Sequence, residues 1–212
     1  MTFKNLTFAI AVLVLITMHT IGFYGLVYGQ MQYYRDLTYV NLIITFGLFI
    51  AGEFRFNKNY LLVALVIALL GFFIEVIGVK TKAIFGYYEY TKFLGPRILD
   101  VPLIIGLNWS LLILSCSSIV HNVYSNILVK AFIGATLMLL FDIVLEPIAF
   151  KYDYWQWDAK IIPLQNYIAW WLISFVLILG VLKLLKNPAN KMGYWVFGVQ
   201  ILFFCLLNLI FN

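Results

Sequence analysis

The sequence predicts an all-α, polytopic integral membrane helix bundle of about seven transmembrane helices, forming one domain over residues 1–212. Three observations carry that expectation. The chain is 64% hydrophobic and only 11% charged, far from the globular norm of roughly 45–50% apolar and about 25% charged. Its 19 Phe, 14 Tyr and 6 Trp have too few charges around them to be covered as a water-soluble core. The apolar residues also gather into seven runs, most of them near the length of about 20 residues that a helix needs to cross a bilayer.

The runs extend from Leu6 to Tyr28, Leu37 to Gly52, Tyr60 to Val79, Val101 to Val120, Ile127 to Phe150, Leu164 to Leu185 and Tyr194 to Phe211. Lys4 precedes the first as it would in a signal peptide, but the run continues to Tyr28 without a small-residue cleavage site, so a retained helix is expected. The second run is the shortest. With seven crossings every loop has a side, and the acids sort between the sides unevenly. Asp36 lies in the first loop, Glu75, Glu89 and Asp100 bracket the third, and Asp142, Glu146, Asp153 and Asp158 bracket the fifth. All eight share the face opposite the N-terminus, and Glu53 alone falls on the N-terminal side.

Basic residues do not choose an orientation by number. Lys4, Arg55, Lys58, Lys130, Lys183, Lys186 and Lys191 face one side, and Arg35, Lys80, Lys82, Lys92, Arg97, Lys151 and Lys160 the other. The second group is interleaved with acids, whereas Lys183, Lys186 and Lys191 form an unpaired cluster, which predicts a cytoplasmic N-terminus in the cell membrane.

Several function classes fail on residues. The net charge of +5 is spread singly between apolar runs, so no nucleic-acid partner is expected. Cys116 and Cys205 lack CxxC spacing or a neighbouring histidine, which leaves a disulfide framework or zinc site without support. Haem ligation needs histidines that face each other, but His19 is mid-span and His121 lies at the N-terminal face. A retinal Schiff base needs a lysine in the last span, and Tyr194 to Phe211 has none. Neither a metal nor a cofactor is expected.

The chemistry-bearing residues concentrate in two places. Within FFIEVIG, Glu75 sits near the end of the third run with apolar neighbours on both sides. Desolvation penalises the charged form of such a carboxyl, and a neutral carboxyl is what a general acid needs. Its structural alternative is a pairing with Lys80 or Lys82. Within FDIVLEPIAF, Asp142 and Glu146 are four residues apart, so a helix projects both from one face. Two carboxyls this close resist joint ionisation, and one proton between them can be delivered and recovered. Pro147 removes a backbone donor beside them. Their structural alternative is an ion pair with Arg97 or Lys151.

Aromatics crowd the adjoining loops: Tyr87, Tyr88 and Tyr90 in the third, Tyr152, Tyr154, Trp155 and Trp157 in the fifth. Rings at headgroup level anchor membrane proteins. Beside acids they also suit an elongated apolar or polyene ligand, because π-faces stabilise a developing cation. Asn108, Gln165 and Asn166, near the starts of their helices, are candidates to orient a water.

The residues Glu75-x-x-Gly78, Thr81, Phe85-Gly86-x-Tyr88-x-Tyr90, Leu94-Gly95, Val101-Pro102-Leu103 and Asn108-Trp109 form one motif region. Asp142, Glu146-Pro147, Tyr154-Trp155-x-Trp157, Pro163, Asn166 and Trp170 form a second. In these regions, over roughly Glu75 to Trp171, the chain resembles the carotenoid biosynthesis protein family that includes the CruF-type carotenoid 1,2-hydratases, among them bisanhydrobacterioruberin hydratase. It departs from that pattern at Lys82 and Ile84, where the family commonly carries glycine and proline.

The resemblance implies a cofactor-independent hydro-lyase that adds water across the terminal C1–C2 double bond of an acyclic ψ end, giving a tertiary alcohol. The implied partners are a lycopene-like or monocyclic carotene in the bilayer, membrane lipid, and other enzymes of the pathway. On it, Glu75 or Asp142 is the expected acid, Glu146 the base or cation stabiliser, and Asn166 the water ligand. Tyr88, Tyr90, Asn108, Trp109, Trp155, Trp157 and Trp170 complete the expected binding surface. The alternatives are a non-catalytic carotenoid-binding or scaffold protein, which would not need the Asp142 and Glu146 pair, and a small proton-coupled transporter. A transporter needs polar residues through the depth of the bundle, and the second, sixth and seventh runs offer almost none.

Overall fold

The computed structural model describes residues 3–52, 58–123 and 126–211. Glu53 and Arg55 lie outside the described residues, as does the side chain of Lys4. Six of the described helices are long and apolar enough to cross a membrane. They are α1 (Phe3–Tyr28), α4 (Lys58–Thr81), α5 (Leu103–His121), α6 (Ile127–Lys151), α7 (Leu164–Leu184) and α8 (Lys191–Phe211). Between α1 and α4 come the short α2 (Met31–Asp36) and the apolar α3 (Thr38–Gly52).

The helix α3 has 15 residues. At 1.5 Å per residue it is about 22 Å long, short of the roughly 30 Å hydrocarbon core. Its ends are nevertheless tied to opposite faces of the bundle. The Thr38 hydroxyl bonds the Tyr154 hydroxyl beyond the end of α6, and Asn190, just before α8, donates through Nδ2 to the Phe49 carbonyl at 2.9 Å. The all-α polytopic bundle expected from the sequence is therefore present, with the second run the shortest of its apolar helices, preceded by the six-residue α2.

These helices are apolar on all sides because lipid replaces water outside, and only a helix satisfies its own backbone there. Leu13, Leu62, Phe73, Leu140 and Leu209 point outward, whereas α5 runs through the centre with Trp109 to Ser118 all buried. Three of its four buried serine hydroxyls are absorbed by carbonyls: Ser110 donates to Ala64 at 2.8 Å, and Ser117 and Ser118 donate one turn back, whereas Ser115 Oγ has no hydrogen-bond partner. The contact of α4 with α5 depends on Gly106. A Cβ there would lie 2.5 Å from the Ala68 carbonyl oxygen and 3.0 Å from Phe72 Cβ. A backbone oxygen cannot swing aside, so Gly106→Ala is expected to cost about 1–3 kcal/mol by overpacking, read as a lowered unfolding temperature in detergent.

Outside the membrane part the chain adds two small antiparallel ribbons that the all-α expectation does not contain. Strand β1 (Tyr88–Tyr90) pairs with β4 (Trp155–Trp157), and β2 (Arg97–Ile98) pairs with β3 (Val101–Pro102). Lys82, at one of the two departures from the family pattern, has φ 61°. That is the left-handed region where glycine is most at ease, and here the lysine instead lays its ammonium 3.4 Å from the centre of the Tyr87 ring.

Candidate active site

In β1 and β4, period-2 geometry sends alternate side chains to opposite faces. The register sets Tyr88 opposite Trp157, Glu89 opposite Gln156 and Tyr90 opposite Trp155. Tyr88, Tyr90, Trp155 and Trp157 consequently share the buried face, and Glu89 turns outward. The Tyr88 and Trp157 rings are 5.0 Å apart, and those of Tyr90 and Trp155 5.9 Å. Four aromatics thus roof the bundle at the ends of α4 and α6.

Each rim of that roof holds one buried glutamate. On α4, Glu75 Oε2 accepts hydrogen bonds from the hydroxyls of Tyr88 and Tyr90, the latter at 2.9 Å, and Oε1 accepts from Trp109 Nε1 at 2.9 Å. On α6, Glu146 Oε2 accepts from Trp155 Nε1 at 3.0 Å and Trp157 Nε1 at 2.7 Å, and Oε1 from Asn166 Nδ2 at 3.3 Å. The two arrangements match: two donors from the ribbon on one oxygen, one donor from a neighbouring helix on the other. Burial, and then the charge of Glu75, push the Tyr88 and Tyr90 hydroxyls well above the ordinary phenol range, so both remain donors.

The third carboxyl is placed differently. Asp142 is fully buried, its Oδ2 accepts from Asn166 Nδ2 at 2.8 Å, and its Oδ1 has no hydrogen-bond partner. One amide therefore bridges Asp142 and Glu146. The structural alternatives for these acids do not hold: Lys80 pairs with Asp100, Lys82 covers Tyr87, Lys151 covers the Phe211 ring at 4.0 Å, and Arg97 Nη1 donates to the Tyr90 carbonyl at 3.0 Å. Among the described residues no lysine or arginine forms a salt bridge with any of the three.

Beneath the roof lies a cavity of about 330 Å³. Glu75, Glu146, Tyr88, Tyr90, Asn108, Trp109, Trp155, Trp157, Asn166 and Trp170 all line it, whereas Asp142 does not. The Trp109 and Trp170 rings stack at 4.4 Å with 25° between their planes, forming one wall. Gln165 is outside; it donates to the carbonyls of Ala83 at 2.5 Å and Ile84 at 3.2 Å, pinning the third loop to α7. On the opposite side the lining includes Ile21 of α1 and Ile44 of α3, which are also 55% and 40% exposed at the outer surface. The cavity therefore reaches the hydrocarbon between α1 and α3.

Sequence reasoning does not find that opposite wall. It is built from α1, α3 and α8, including His19, Asn41, Gln200, Phe203 and Phe204. The available signal was a strongly polar side chain, His19 or Gln200, within an apolar run.

Comparison with known proteins adds one finding. No curated protein and no solved structure matches the chain. A family model described as carotenoid biosynthesis protein matches residues 36–211, which takes in α3 to α8, both ribbons and all three buried carboxyls. With most of its length matched, this multi-pass membrane chain belongs to the carotenoid biosynthesis protein family.

Proposed function

We propose that the chain is a hydro-lyase that adds water across the terminal double bond of an open polyene end. One observation carries this reading: two glutamates, each held by three neutral donors and by no cation, face each other's aromatic shell in an apolar cavity open to the bilayer. Hydration needs a proton donor, a place for a cation, a water and a base. An acyclic isoprenoid end has one carbon of its double bond less substituted than the other. Protonating that carbon puts the positive charge on the tertiary one.

Asp142 has the fewest donors and an unpartnered oxygen, so the Asp142 and Glu146 pair holds the proton, and Glu146, which lines the cavity, presents it. Glu75, held by three neutral donors on the other rim of the roof, faces the cation, and the tyrosine and tryptophan rings spread the charge. Water then adds to the tertiary carbon and its proton returns to Glu146, leaving a tertiary alcohol. Asn166, the expected water ligand, already spends its amide N–H groups on two carboxyls. Asn108 lines the cavity with no hydrogen bond from its side chain among the described residues, so the water-orienting role passes to it.

The lysines at positions 183, 186 and 191 are all exposed at the face opposite the roof, which supports a cytoplasmic N-terminus and a site in the outer half of the membrane. The test is expression in a bacterium that makes lycopene, with pigments resolved by mass spectrometry. Gain of the mass of one water per open end is expected. An unchanged pigment profile with the protein present in the membrane overturns the reading.

A further inference from the structure

Two polar side chains on the wall opposite the carboxyls take no part in the steps above. Gln200 on α8 lines the cavity, is 4% exposed, and its Oε1 has no hydrogen-bond partner. His19 on α1 lines it too, with Nδ1 2.9 Å from the Leu15 carbonyl. A carbonyl only accepts, so Nδ1 carries the hydrogen and Nε2 of the neutral ring is an acceptor. No described residue hydrogen-bonds to Nε2. The two side chains flank one ring: His19 packs edge-on against Phe203 at 5.6 Å, and Gln200 is one turn before Phe203 on the same helix.

Their depth matters. At 1.5 Å per residue, Gln200 lies about 16 Å below the end of α8 at Phe211, and His19 about 13 Å below the end of α1 at Tyr28. Near the middle of a bilayer an amide oxygen has no bulk water to turn to, and leaving it unpaired is costly. An O–H group supplies the one hydrogen that either acceptor can take, and its oxygen can in turn accept from the Gln200 amide N–H. The side opening between Ile21 and Ile44 leads to hydrocarbon, so an O–H arrives there attached to a lipid-borne molecule.

We propose that Gln200 and His19 form a second subsite that accepts a hydroxyl carried by the polyene ligand, away from its reacting end. The ligand class is then a polyene alcohol, and these two residues select it over the bare hydrocarbon. The proposal rests on the polyene-ligand part of the reading above and not on hydration itself.

The test is binding, read by quenching of the tryptophans that line the cavity, for the full chain in detergent with two polyenes of equal length, one bearing a hydroxyl. The wild-type chain is expected to hold the alcohol about tenfold more tightly, the scale of one buried hydrogen bond. Gln200→Leu should remove that preference by lowering affinity for the alcohol, and should unfold at no lower a temperature, because it replaces an unpaired amide with an apolar side chain of similar size. His19→Phe should reduce the preference in the same direction. Equal wild-type affinities for the two polyenes, or a preference that survives Gln200→Leu, overturns the subsite. A tenfold preference in a chain that adds no water to lycopene leaves the subsite standing and counts against hydration alone.

Discussion

Glu146→Gln is expected to lower turnover by about 10²- to 10⁴-fold, the range lost when a positioned proton-transfer group is removed. The amide oxygen of the variant can still accept from Trp155 and Trp157, but its NH₂ then meets the NH₂ of Asn166, and a donor faces a donor. Asn166 can turn its oxygen to relieve this only by withdrawing its N–H from Asp142, whose Oδ1 already lacks a partner. The variant therefore loses the proton carrier and unsettles its neighbour. Pigment conversion at matched membrane levels measures the first effect and thermal unfolding the second. Conversion within twofold of wild type would remove Glu146 from the reaction.

Glu75→Gln should lose about 10²- to 10³-fold, the scale of one electrostatic contact to the transition state. The geometry fixes how the substitution fails. Two hydroxyls converge on Oε2 and one indole N–H on Oε1, so an amide can serve the tyrosines or Trp109, and the other side meets its NH₂. A buried unpaired N–H costs about 1–3 kcal/mol in stability as well. The specific readout is a long-chain tertiary amine with its nitrogen at the position of the cationic carbon. Wild-type chain should bind it far more tightly than the neutral polyene, and Glu75→Gln should abolish that difference. An amine that binds both proteins equally would show that Glu75 does not face a cation.

The membrane part was legible because one physical signal, length of apolar run, decides it. The predicted and observed helices end within three residues of each other. The larger offsets have local causes: α8 begins at Lys191 because Asn190 Oδ1 accepts the Met192 amide at 2.8 Å, and α5 begins after Val101 and Pro102 because they pair with Arg97 and Ile98. The chemical residues were legible as well, since a carboxyl in hydrocarbon is costly and therefore conspicuous. Their partners were not. Y-x-Y and W-x-W are three-residue alternations, too short to distinguish a strand from an aromatic loop, and nothing local reveals that Tyr88 meets Trp157. The wall with His19 and Gln200 escaped for another reason. A helix that is apolar all round carries no stripe to say which side faces inward, so only packing shows that both residues face the cavity.

The β1 and β4 ribbon has a consequence for how the protein is made. Glu75 enters the membrane with α4, when Tyr88, Tyr90 and Trp109 are still to follow, and the ribbon that roofs it cannot close until Trp155 and Trp157 have emerged beyond α6. Through that interval the carboxyl sits near the end of its helix with no permanent donors. Its nearness to the interface, about 9 Å from the helix end at Thr81, makes the wait tolerable. Closure then comes late and from a distance in the chain, so damage to either strand is expected to appear first as failed assembly of the membrane protein. An engineered cut between β1 and β4 would ask whether two separately inserted fragments can still find each other through six residues of pairing.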